Sequence, residues 1–215
     1  MNDELTLWFE TLCLLHSSRP QEPVDAVVIH SRSHERDGDG LLEVAAELIH
    51  AKMAKKIVIN GSNGESLKDP AHKAWPGRDA YEKQLGRLGI FDVMLSRAAR
   101  HTREESEMFA EVIENMGWKS VVVVNLGHCL PRAMCGWLNE IGPTKRNLPV
   151  KLYPIAPVSL NWKVMVHGQQ GIEKAPRIDQ CRGELERLLR YQKKYSHNFV
   201  PLSTLVNYLL KLNTN

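Results

Sequence analysis

The chain has 215 residues, 43% of them hydrophobic and 25% charged, with 28 basic residues against 25 acidic ones and a net charge of +3. That length suits one domain with a substantial core. So even a charge balance gives no electrostatic indication of a nucleic-acid or membrane partner.

Residues 4–16 read as an amphipathic helix, with Leu5, Trp8, Phe9, Leu12 and Leu15 at helical spacing, ended by Ser17-Ser18-Arg19-Pro20. Asp25-Ala26-Val27-Val28-Ile29-His30 is apolar without alternation, the mark of a strand covered on both faces in a parallel sheet. The polar loop SRSHERDGDG follows, and then a helix whose face is Leu42, Ala45, Ala46, Leu48, Ile49 and Met53. Ile57-Val58-Ile59-Asn60 is a second strand, stopped by Gly61-Ser62-Asn63-Gly64, with an irregular segment after it to Pro76. Residues 78–88 read as a helix with Gly89 in the C-cap position, and residues 91–95 as a short third strand. Residues 104–116 form a helix with Met108, Phe109, Val112, Ile113 and Met116 as its core face.

Four consecutive valines, Val121 to Val124, make the fourth strand, and Asn125, Leu126, Gly127 and His128 break it. Pro131 sits where the next helix takes its first residue, a position at which its missing N–H costs nothing. That helix runs to about Glu140, and residues 150–155 form a fifth strand. Beyond Pro157 the pattern weakens to two helices, over 183–195 and 202–212.

Alternating strands and helices predict an α/β fold: a three-layer αβα sandwich around a mostly parallel, Rossmann-like sheet of about five strands. The expectation is one domain over residues 1–215, with its core at 24–157, an N-terminal helix within 1–20 and a helical extension over 158–215. Ligands in such sheets bind beyond the carboxyl ends of the strands, so the loops at Ser31, Asn60, Ser96 and Asn125 should converge on one edge.

Several constellations there carry candidate chemistry. The turn Gly61-Ser62-Asn63-Gly64, with Asn60 before it, either cradles an anion on its backbone N–H groups or is a plain turn. It lacks the Lys-Ser/Thr ending of a P-loop, and no G-x-G-x-x-G follows a strand. Thr102 and Glu105 have the spacing of a capping box, while Glu104 is the stronger functional candidate of that segment. Arg132, in the first turn of a helix, is badly placed for the helix dipole unless it binds an anion. His128 has the chemistry of a general acid or base, and Cys129 is a remote candidate nucleophile.

In the loop from Ser31 to Asp39, Ser31 and Arg32 are candidate ligand contacts. His34, Asp37 and Asp39 there could hold a metal, but no metal site is expected. The basic run Arg187, Arg190, Lys193 and Lys194 reads as an exposed helix face, and Trp75, Trp118, Trp137 and Trp162 as packing residues.

The order of these features resembles the YdcF-like and SanA-like proteins, a bacterial domain family of unknown function with a Rossmann-like fold. The resemblance rests on the strand Asp25-Ala26-Val27-Val28-Ile29, the run Ile59-Asn60-Gly61-Ser62, and His101-Thr102-Arg103-Glu104-Glu105. It rests also on His128-Cys129-Leu130-Pro131-Arg132-Ala133, with an echo from Glu184 to Tyr191. The chain departs from the family where His30-Ser31-Arg32-Ser33 replaces the usual glycines and where His128 lies one residue further from Pro-Arg.

The resemblance implies an adenosylmethionine-type ligand; the cofactor is otherwise unspecified. It also places Thr102 and Glu104 in a motif that faces the pocket. The resulting expectation is a protein that binds a small anionic or nucleotide-like ligand and that, if it is an enzyme, is a transferase or hydrolase. His128 and Glu104 are its candidate catalytic residues. Ser31, Arg32, Asn60, Gly61, Ser62, Asn63, Gly64, Thr102, Asn125, Gly127 and Arg132 are its candidate ligand contacts. A non-catalytic sensor or interaction protein is the alternative, and a cell-envelope metabolism factor a further one.

Four cysteines, Cys13, Cys129, Cys135 and Cys181, form no C-x-x-C pair, which fits reduced thiols in the cytoplasm rather than a disulfide framework. No apolar run is long enough to span a bilayer, and the opening MNDELTLWFETLCLL lacks the basic start of a secretory signal. A cytoplasmic location, a small-molecule partner and no nucleic-acid partner are therefore expected, with the oligomeric state left open.

Overall fold

The computed structural model describes residues 3–32, 40–63, 76–157, 162–166 and 175–214. Five parallel strands form the central sheet: β1 (Ala26–Ile29), β2 (Ile57–Ile59), β3 (Val93–Leu95), β4 (Ser120–Val124) and β5 (Lys151–Ile155). Their order across the sheet is β3-β2-β1-β4-β5. Val28 lies opposite Val58 on one side and opposite Val123 on the other. The chain therefore winds outward from β1 to β3, returns across the sheet, and winds outward again from β4 to β5. The crevice between β1 and β4 is the topological switch point of this doubly wound fold.

Helices cover both faces. They are α1 (Asp3–Ser17), α2 (Leu41–His50), α3 (Arg78–Arg87), α4 (Thr102–Met116), α5 (Leu130–Ile141), α6 (Arg177–Lys194) and α7 (Leu202–Thr214). Successive strand residues point to opposite faces, and the two cores divide on that rule. Ala26 and Val28 of β1, with Val121 and Val123 of β4, pack against Phe109 and Ile113 of α4, Met134 and Trp137 of α5, and Leu205 and Leu209 of α7. Val27 and Ile29, with Val122 and Val124, pack against Leu42, Ala45 and Ala46 of α2 and Leu85 of α3. The three-layer sandwich expected from the sequence is the observed one, and the unalternating valine runs are its doubly covered strands.

Some details differ from the sequence reading. Pro131 is the second residue of α5, not the first. The helix before Tyr195 begins at Arg177, six residues earlier than its leucine spacing indicates. Two short strands, β6 (Met165–Val166) and β7 (Ala175–Pro176), pair antiparallel ahead of it, and Ser196–Asn198 is a 3₁₀ turn. On α4 the outermost residue of the expected apolar face, Met116, is exposed, and the buried face instead includes the polar Glu105 and Ser106. Gly117 ends that helix with φ 65°, a left-handed conformation that favours glycine.

Candidate functional site

The site is built where β1 and β4 end. His30 continues the alternation of β1, so its ring turns toward the face covered by α4 and α5. There Nδ1 of His30 lies 2.9 Å from Oε2 of Glu105, and Nε1 of Trp137 donates to Nε2 of His30 at 2.9 Å. An indole N–H only donates, so Nε2 of His30 accepts and Nδ1 carries the proton. Burial, which lowers the His30 pKa, agrees with a neutral ring despite the opposing pull of Glu105.

Glu105 is the buried carboxylate of the site. Its Oε1 accepts from the backbone N–H of Ser31 at 2.9 Å and from Nδ2 of Asn60 at 3.3 Å. Burial works to raise its pKa. The His30 hydrogen bond, the charge on Arg32 and the Ser31 N–H outweigh burial and hold it at about 2.

Asn60 completes this network. Its Nδ2 also donates to Oγ of Ser31 and to the carbonyl of Ala99, and its Oδ1 accepts from the N–H groups of Ser62 and Ala99. The loops after β1, β2 and β3 are thus tied through one side chain. Gly61 allows it: a Cβ there would lie 2.2 Å from the carbonyl oxygen of Ser96.

The capping box suggested by Thr102 and Glu105 is not formed. Nδ1 of His101 caps α4 by accepting from the N–H of Glu104 at 3.2 Å, which leaves the Glu105 side chain to reach inward. Glu104 points elsewhere. Its carboxylate accepts from the backbone N–H of Arg100 at 2.8 Å and from the Arg100 guanidinium at 2.9 Å. Thr102 is the first residue of α4 and is buried.

A second network adjoins the first and differs from it in one respect. Arg32 donates through Nη1 to the carbonyl of Ser31 at 2.7 Å and through Nε to Oδ1 of Asn125 at 2.8 Å, with Nη2 on the same oxygen. The Leu126 N–H donates to that oxygen too, at 2.7 Å. Three donor groups on Oδ1 settle the amide orientation, so Nδ2 of Asn125 faces away from them. Among the described residues that Nδ2 has no hydrogen-bond partner, and neither has Nδ1 of His128. Asn125 is 0% exposed and His128 2%, so both groups are shut off from bulk solvent. Arg32 itself is only 4% exposed, yet among the described residues its guanidinium bonds go to neutral oxygens.

Arg132 lies beside these groups, buried at the start of α5, with Nε 2.7 Å from Oε2 of Glu184 on α6. Glu184 also receives Arg187 on its other oxygen, so one carboxylate holds two guanidiniums. Cys129, the N-cap residue of α5, is buried in the same cluster. Burial works against its thiolate, as does the negative Glu184. The neighbouring His128, which also hydrogen-bonds the thiol, and the charge on Arg32 outweigh them and lower the thiol to about 6. Cys135, six residues further along the helix, has no such charges among the causes of its shift, and burial pushes its thiol up.

The structure therefore brings Ser31, Arg32, Asn60, Ser62, Asn125, His128 and Arg132 to one sheet edge, with Gly61 pressed on the Ser96 backbone. Asn63 is turned toward α3, where its side chain contacts Asp79 twice. Gly127 meets only ordinary van der Waals neighbours, the nearest being Ala156. Gly64, the loop residues His34, Asp37 and Asp39, and Trp75 lie outside the described residues. Sequence reading overlooked His30, Trp137 and Glu184 as members of the site. The polar His30 closing a fully apolar strand was the available signal for the first. No cluster of potential metal ligands occurs among the described residues, and no described helix is long and apolar enough to cross a membrane.

Fold and site together define a doubly wound, Rossmann-like α/β protein with buried polar groups gathered at its switch point. Neither the protein-family models nor the curated proteins include a match to the chain.

Proposed function

We propose that this chain is a YdcF-like protein that binds a small anionic or nucleotide-like ligand, with an adenosylmethionine-type molecule among the candidates, at the crevice between β1 and β4. One observation carries the reading: Nδ2 of Asn125 and Nδ1 of His128 are buried without a hydrogen-bond partner among the described residues. Each such group costs about 1–3 kcal/mol when left unsatisfied. A cluster that keeps that cost beside the buried Arg32 and Arg132 is suited to an acceptor-bearing anion, which would supply the missing bonds.

In a transfer or hydrolysis reaction His128 would move the proton, and Arg32 and Arg132 would steady the negative charge. The free thiols of Cys13, Cys129 and Cys135 fit a cytoplasmic setting. A non-catalytic ligand sensor is the second reading. It is favoured by the Glu104 carboxylate, which Arg100 already occupies.

The test is a thermal-shift series with adenosylmethionine, nucleotides and sugar phosphates on wild type and Arg32→Met. A ligand that raises the melting temperature of wild type alone supports the site. Equal stabilisation of both proteins would remove Arg32, and the switch-point location, from the reading. Turnover of a stabilising ligand that disappears in His128→Gln favours the enzyme; binding without turnover favours the sensor.

A further inference from the structure

Trp162 stands apart from the other described tryptophans. Trp8 and Trp137 are buried and Trp118 is half-buried, whereas Trp162 is 36% exposed. Its backbone is nevertheless anchored. The Ile178 N–H donates to the Trp162 carbonyl at 3.0 Å and the Arg177 N–H to the Val164 carbonyl at 2.9 Å, which ties this segment to the start of α6. The indole meets the His128 ring edge to face, with centroids 6.3 Å apart and planes at 65°. Val164, Met165 and Ile178, on the same two segments, are exposed as well.

A partly exposed indole thus lies against a buried imidazole whose Nδ1 has no hydrogen-bond partner among the described residues. Each arrangement is unfavourable by itself, the first through exposed apolar area and the second through an unmade hydrogen bond. A ligand with an aromatic ring on the indole and an anionic group at His128 relieves both at once. An aliphatic anion of the same charge relieves only the second.

We propose that Trp162 is a stacking platform for a planar aromatic ring of the ligand whose anionic group lies at Asn125, His128 and Arg32. The ligand class is then a nucleoside phosphate or a similar base-bearing anion, not a sugar phosphate or free phosphate. This inference rests on the anion site proposed above. Stacking of a base on an aromatic side chain is worth on the order of tenfold or more in affinity.

The experiment is calorimetric titration of the full chain with adenosine monophosphate, ribose 5-phosphate and inorganic phosphate, on wild type, Trp162→Ala and Trp162→Phe. The expected result is adenosine monophosphate binding on the order of tenfold tighter than ribose 5-phosphate. Trp162→Ala should abolish that advantage while leaving ribose 5-phosphate affinity unchanged, and Trp162→Phe should keep most of it. Equal wild-type affinity for the two ribose compounds overturns the platform and leaves the anion site standing. So does a Trp162→Ala variant that weakens both equally, because that marks a structural role. Failure of all three compounds to bind overturns the anion site and the platform together.

Discussion

Trp137 and His30 share one proton-donating contact, 2.9 Å long, and it decides the state of the whole inner network. The indole holds Nε2 of His30 as an acceptor, so the imidazole proton stays on Nδ1 and faces Glu105. Nitrogen chemical shifts of the His30 ring should therefore show a neutral Nδ1–H tautomer at pH 7. An Nε2–H tautomer would contradict the network. Trp137→Phe leaves Nε2 without its donor and also empties part of the buried indole volume, so unfolding free energy from urea titration should fall by at least about 1–3 kcal/mol.

Acid should loosen the same network. The folded Glu105 pKa lies below its ordinary value of 4.5, so its contribution to stability is complete above that value and is lost as pH falls toward about 2. The His30 pKa is also lowered, from 6.5. Below pH 6.5 the unfolded chain takes up a proton that the folded one refuses, which again lowers stability as pH falls. The two effects have the same sign. Urea midpoints should decline from pH 6.5 downward, and Glu105→Gln should flatten the decline below 4.5. A midpoint that rises on acidification would exclude this charge assignment.

His128→Phe should separate stability from binding. Phenylalanine can keep the edge-to-face contact with Trp162 and removes Nδ1, which has no partner among the described residues. The ligand-free protein should melt higher, by an amount corresponding to about 1 kcal/mol, and lose its response to anionic ligands. A lower melting temperature would mean that His128 is already satisfied in the folded chain, and the argument from unmade bonds would fail.

Gly61→Ala tests the loop convergence. The added methyl would meet the Ser96 carbonyl at 2.2 Å, so the backbone after β2 or after β3 must shift. Asn60, one residue earlier, bridges those loops, and the shift should disturb its bonds to Ala99 and Ser62. A loss of about 1–3 kcal/mol in unfolding free energy is expected, with weaker amide-exchange protection at Ala99. Unchanged protection at Ala99 would place the strain elsewhere.

The elements of this fold were legible because each has a local cause. Val121 to Val124 offer no polar face, so any structure that contains them must cover both sides, and α/β layering follows. Gly117 and the apolar spacing of Phe109 and Ile113 mark a helix and its end without reference to the rest of the chain. The general position of the site was also legible, because a parallel sheet gathers its loops at the carboxyl edge.

The partners were not legible, because they depend on which distant side chains a common fold brings together. Glu105 has the spacing of a helix cap, and in isolation that is the cheapest use of its carboxylate. In the folded chain His101 caps the helix, and His30, 75 residues away, takes the carboxylate instead. Arg132 reads as an unpaired cation until α6 brings Glu184 against it, 52 residues later.

Composition and periodicity thus determined the layers, the parallel sheet and the edge where chemistry is concentrated, since burial of apolar surface acts residue by residue. Only the tertiary structure decided which polar groups close on one another and which, like Asn125 and His128, are left with a bond to make. Hydrogen bonds require direction and contact, and a linear sequence specifies neither.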